Sequence, residues 1–110
     1  MKIETLKSSK DFKRLKNGKF CRSHSFLLQA RENIDSKITR VGFTVTKQNG
    51  NAVNRNRIKR RLKSVAQVVF SNVEIRKWDY VMIGKKNTLI TSFDKLKSEL
   101  EMAINKIHKY

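Results

Sequence analysis

A chain of 110 residues supports one domain, spanning 1–110, with a single modest core and no room for a second. Its 26 Lys plus Arg against 9 Asp plus Glu give a formal charge of +17, far beyond what solubility needs, so a polyanion, above all nucleic acid, is the leading partner class. One cysteine, Cys21, excludes an intramolecular disulfide and disfavours a Cys-based metal site, and no apolar run approaches the roughly 18 to 20 residues of a spanning helix.

Met1-Lys2-Ile3-Glu4-Thr5-Leu6 lacks the long apolar segment of a secretory signal, so a cytoplasmic location is expected, with no membrane partner. Ser8 or Ser9 can cap a first helix, with Asp11 supporting the free amides of its first turn, and the helix should end near Gly18. Phe12 and Leu15 share one face of it; the ordinary reading of Phe12 is a core aromatic, and Phe20 reads mainly as packing. Ser25 to Arg31 alternates and predicts a strand, with Phe26, Leu28 and Ala30 on one side. Asn33 to Lys37 is a polar turn before the clearest strand, Thr39 to Thr46, where Val41, Phe43 and Val45 oppose Arg40, Gly42 and Thr44.

The stretch Lys47 to Lys63 carries the chemistry. Asn49-Gly50-Asn51 tolerates positive φ and ends the strand, and from about Ala52 helical periodicity takes over. Ile58, Leu62, Val65, Ala66 and Val69 form the buried stripe, while Asn56, Lys59, Arg60 and Lys63 line a different face. Arg55 faces Lys59 and Arg57 faces Arg61, like-charge pairs that repel, and no Asp or Glu occurs from Ser36 to Val73. A solvated helix face is the ordinary reading of a charge run. The missing counter-ions, and asparagines interleaved with arginines that can bond phosphate, sugar and base edges, favour RNA contact through Lys47, Asn54, Arg55, Asn56, Arg57, Lys59, Arg60, Arg61 and Lys63.

After a break at Ser71-Asn72, Trp78 to Gly84 reads as a strand with Asp79 structural, and Lys85-Lys86-Asn87 as a turn. Thr91 or Ser92 can cap a last helix with the stripe Phe93, Leu96, Leu100, Ala103, Ile104 and Ile107, and with attractive pairs such as Lys95–Glu99 on its surface. The order α-β-β-(β)-α-β-α makes a compact α+β sandwich, its helices against a central mixed sheet. His24 and His108 are far apart in sequence and the acids are scattered, so neither protein catalytic residues nor a protein metal site is expected.

Gly50-Asn51-Ala52-Val53, then Asn54 and Arg55-Asn56-Arg57-Ile58-Lys59-Arg60, resembles the signature of the protein subunit of bacterial ribonuclease P. The leading Asp11-Phe12, Gly42-Phe43-Thr44-Val45, Asp79-Tyr80-Val81-Met82-Ile83 and the terminal helix extend the resemblance over nearly the whole chain. It implies a left-handed β-α-β crossover where the right-handed form is ordinary. It further implies a partner RNA subunit that carries the active site and binds Mg2+, no cofactor in the protein, precursor tRNA as substrate, and hydrolytic removal of its 5′ leader. No obligatory protein partner is implied. By the same resemblance Phe12, Lys16 and Phe43 belong to a cleft for the single-stranded leader. Lys16 and Gln29 replace aromatics frequent in the family, which weakens stacking, and Gln48 and Lys63 replace a frequent Lys and Arg. A ribosomal or general RNA-binding protein is the competing reading, and a nuclease acting without RNA a more distant one.

Overall fold

Apolar residues at every second position become strands and those at three- and four-residue spacing become helices. In chain order these are β1 (Ile3–Thr5), β2 (Lys19–Arg22), β3 (Phe26–Glu32), β4 (Thr39–Val45), α1 (Ala52–Ser71), β5 (Trp78–Gly84), α2 (Asn87–Ile90) and α3 (Phe93–His108). The computed structural model describes residues 3–5, 18–32, 39–46, 48, 50–71 and 78–108. The helix expected between Ser8 and Gly18, with Phe12 and Lys16, and the turn at Asn33 to Lys37 lie outside the described residues, as does Lys47.

The five strands form one mixed sheet in the order β1-β4-β5-β3-β2. β1 and β5 run parallel to β4, whereas β3 is antiparallel to both β5 and β2. Three elements, β1, β2 and α2, are additions to the residue-by-residue sequence reading. β1 has three residues and β2 four, too few to establish a period, and α2 continues from the expected Lys85-Lys86-Asn87 turn, its four residues too short for a stripe.

Alternation in β3, β4 and β5 turns Phe26, Leu28, Ala30, Val41, Val45, Tyr80 and Met82 toward the helices. Ile58, Leu62, Val65, Ala66, Val69 and Phe70 of α1 and Leu96, Leu100, Ala103, Ile104 and Ile107 of α3 complete that core. Phe93 is the exception to the expected stripe: at the first residue of α3 it remains 40% exposed. The approach of α1 to β5 is fixed by Gly84, where an added Cβ would lie 2.3 Å from Ile58 Cγ2 and 3.1 Å from Leu62 Cδ1.

Two polar devices hold the ends of the sandwich. Arg40 donates from Nε and Nη2 to the two carboxylate oxygens of Asp79, at 2.8 and 2.6 Å, across the β4–β5 ladder where these residues pair. With Asp79 only 5% exposed, the planar fork fixes that register. At the other end the strand begins at Phe26 rather than Ser25, because Ser25 joins a buried polar cluster. Its amide and hydroxyl donate to Glu99 Oε1 and Oε2 at 2.9 and 2.8 Å, and its carbonyl accepts from Thr88 Oγ1 at 2.6 Å. Both Glu99 oxygens therefore face Ser25, so the surface pair expected with Lys95 gives way to bonds between α3 and the residue just before β3.

The last turn of α3 is tied back to the sheet. His108 Nε2 lies 2.5 Å from the Tyr80 hydroxyl, and its ring packs edge-on against Trp78 with centroids 4.5 Å apart. Lys19 Nζ donates to the carbonyl of Ile107 at 3.2 Å, a cation at a helix C-terminus. Burial, and then the Lys19 charge, holds His108 below the usual histidine range, while burial pushes the Tyr80 hydroxyl up.

Two outcomes follow. Gly84→Ala should destabilise the protein by about 1–3 kcal/mol in denaturant unfolding, the cost of overpacking a filled site. The folded state favours neutral His108, so the unfolded chain takes up that proton first as pH falls. Its contribution to stability is complete above the unfolded pKa of about 6.5 and is lost as pH falls through the lower folded value. Thermal unfolding of His108→Gln should accordingly lose less stability than the wild type between pH 7.5 and pH 5.

Candidate nucleic-acid interface

The basic helix starts where the sequence places it. Gly50 takes φ 124, a left-handed conformation that side chains disfavour, and Asn51 Oδ1 then accepts from the amide of Asn54 at 2.9 Å. This cap starts α1 at Ala52, and the docking of Ile58 and Leu62 sets its rotation. Asn56, Arg57, Lys59, Arg60 and Lys63 consequently lie exposed together on the side away from the core.

The remaining residues expected to touch RNA are placed differently. Asn54 and Arg55 are half-buried, and Arg55 Nε is shielded from solvent with no hydrogen-bond partner among the described residues. Arg61 turns inward: its Nε donates to the carbonyl of Thr88 at 2.9 Å and its Nη2 to the carbonyl of Thr91. Those two donors hold the α2–α3 junction against α1 and are not available to a phosphate. Charge alone did not distinguish Arg61 from its neighbours; the signal was its place three residues after the buried Ile58 and four before the buried Val65, which puts it at the edge of the core face.

The sheet face turned away from α1 and α3 is readable from the register. Phe20 pairs with Gln29, Gln29 with Val81, and Val81 with Gly42, forming one cross-strand row. Arg22, Leu27, Ile83 and Thr44 form the next. Phe20 was read as packing, yet it is 64% exposed, because β2 is an edge strand and its neighbour Cys21 takes the inward position. Four residues without clear alternation concealed this in the sequence. Phe43, the one cleft candidate among the described residues, pairs with Met82 and packs, half-buried, against the core on the helix side.

Among the described residues, no three His, Cys, Asp or Glu side chains come together as metal ligands. No helix there is long and apolar enough to cross a membrane. What the geometry offers is a cationic helix face and a sheet face with an exposed aromatic at its edge.

A model of the ribonuclease P family matches residues 1–108. The ribonuclease P protein component of Ruegeria pomeroyi is 38% identical over 109 residues, covering 96% of this chain and 87% of the relative. The chain belongs to the ribonuclease P protein family. The corresponding protein of Finegoldia magna is 42% identical over 85 residues, covering 77% of this chain and 73% of the relative. The solved RNase P protein of Staphylococcus aureus superposes with a TM-score of 0.79 at 26% identity, covering 97% of each chain. The family fold is therefore the one described above, an α+β arrangement on a mixed sheet.

The two roles of the α1 cations separate by stability. Arg61→Ala strands the Thr88 and Thr91 carbonyls and should lower thermal stability by about 1–3 kcal/mol. Lys63→Ala, at an exposed position, should remain within about 0.5 kcal/mol of the wild type.

Proposed function

We propose that this protein is the protein subunit of a cytoplasmic ribonuclease P ribonucleoprotein, acting in the maturation of tRNA 5′ ends. The observation that carries this reading is the exposed row Asn56, Lys59, Arg60 and Lys63 on a helix without a single acidic residue, in a chain of this family. An RNA enzyme and its RNA substrate repel each other. A protein with a formal charge of +17 offsets that repulsion and releases counterions from whichever phosphates it meets.

In this reading α1 binds the RNA subunit. Lys59 and Lys63 act as point charges on phosphates, Arg57 and Arg60 as planar two-pronged donors, and Asn56 bonds sugar or base edges. The opposite sheet face holds the single-stranded 5′ leader, with Phe20 presenting a π-face and the Gln29 and Thr44 positions supplying hydrogen bonds. Phe12, Lys16 and Lys47 belong to the same surfaces by family resemblance. In this reading the RNA subunit carries the active site, and the Mg2+ it would bind would supply charge stabilisation and an activated water for hydrolysis of the phosphodiester. The protein's part is to raise the local concentration of correctly oriented leader at that site.

The test is leader removal from precursor tRNA at low Mg2+, with a bacterial ribonuclease P RNA alone, with the protein, and with protein alone. Stimulation that requires the RNA, and that falls in the Lys59→Ala, Lys63→Ala double variant as the salt dependence of RNA binding drops by about 1 per lost cation, is the expected result. Tight binding without stimulation would instead identify a general RNA-binding protein, and cleavage by protein alone would overturn the assignment of chemistry to RNA.

A further inference from the structure

A cavity of about 660 Å³, within the range of small-ligand sites, opens between α1 and the α2–α3 junction. Arg57, Arg60, Arg61 and Ser64 line it from α1, and Leu89 and Phe93 from the other side. Phe93 is 40% exposed and neighbouring Ile90 80% exposed, an apolar rim that neither helix buries. Among the described residues, no acidic side chain lines the cavity.

The shape is maintained by the fold. Arg61 donates to the carbonyls of Thr88 and Thr91, so the segment carrying Leu89 and Phe93 is fastened to α1 at a fixed distance. Thr88 and Thr91 are in turn tied to Ser25, which anchors the junction to the sheet. The guanidiniums of Arg57 and Arg60 make no hydrogen bond or ion pair within the described residues and remain on the exposed side of α1.

We infer that this cavity holds one unpaired nucleotide of the RNA subunit, its base stacked on Phe93 and its phosphates bound by Arg57 and Arg60. The inference rests on the RNA-binding reading of α1 and adds a base-specific element to it. Paired bases in an A-form helix are stacked and present no free face, so the exposed ring of Phe93 stacks only on a base that has left its own stack. The Leu89 side chain widens the apolar wall, and the Ser64 hydroxyl lines the cavity as a partner for a ribose 2′-hydroxyl or a base edge. An apolar protein segment fits the cavity poorly, since covering it would strip water from two unpaired arginines without supplying an anion. A nucleotide supplies both the anion and the aromatic face.

The experiment compares the full-length chain with Phe93→Leu, which keeps apolar bulk and removes the π-face, and with Phe93→Tyr, which retains it. Affinity for a bacterial ribonuclease P RNA is measured over a salt series, together with nucleotide-resolution 2′-hydroxyl reactivity of the RNA and thermal unfolding of each variant. Phe93→Leu should bind at least about fivefold more weakly with an unchanged salt slope, the loss of one stacked base. Phe93→Tyr should bind as the wild type. One unpaired RNA position should be protected by the wild type and by Phe93→Tyr, and regain reactivity with Phe93→Leu. Wild-type affinity and protection with Phe93→Leu would overturn the proposal. If the Lys59→Ala, Lys63→Ala double variant weakens binding in that same experiment, the α1 reading survives and only the nucleotide site falls. If neither variant weakens binding, both fall.

Discussion

The docking of α1 on β5 at Gly84 is the constraint from which the working surface follows. With no side chain at that position, Ile58 and Leu62 reach the backbone of the strand, and a helix seated so closely has one permitted rotation. That rotation sends Lys59, Arg60 and Lys63 outward as a group. The cations do not choose their direction; the apolar stripe on the opposite side chooses it for them. A helix with this charge and no acidic residue has little reason to form alone, so tertiary burial holds it in place.

Around that constraint the structure sorts its charged groups by role. Asp79 is sealed against Arg40 and Glu99 against Ser25, so two of the nine acids are committed to interior bonds. Arg61 is withdrawn to fasten the α2–α3 junction. What remains on the outer side of α1 is cationic and uncompensated, and the separation between structural and working arginines follows from burial alone. Arg57, Arg60 and Arg61 are chemically alike in sequence but differ in what their guanidiniums touch.

Much of this was legible in the residues. Strand alternation assigned Phe26, Leu28, Ala30, Val41 and Val45 to the interior, and helical spacing assigned Ile58, Leu62, Val65, Ala66 and Val69, because burial on one face imposes a period. The start of α1 was readable from Gly50 and Asn51, whose local chemistry requires no tertiary information. What escaped was decided by partners distant in sequence. Arg61 finds its carbonyls 27 and 30 residues away, and Glu99 finds Ser25 across 74 residues. Phe93 completes a stripe by spacing but stands where the helix has only begun. Phe20 is exposed because its strand lies at the sheet edge, a property of strand order. Of the site, the family signature supplied the partner, and the sequence pattern supplied the cationic face; which cations remain outside required the fold.

The like-charged ladder from Arg55 to Lys63 also makes the native state conditional on its surroundings. Self-repulsion disfavours the compact chain, and the shielded Arg55 Nε, unpartnered among the described residues, adds to that cost. Any polyanion that engages the folded surface and not the unfolded chain acts as a folding ligand, contributing about 2.7 kcal/mol at a hundredfold excess over its dissociation constant. A chain that has engaged no polyanion is thus less protected against opening than one that has.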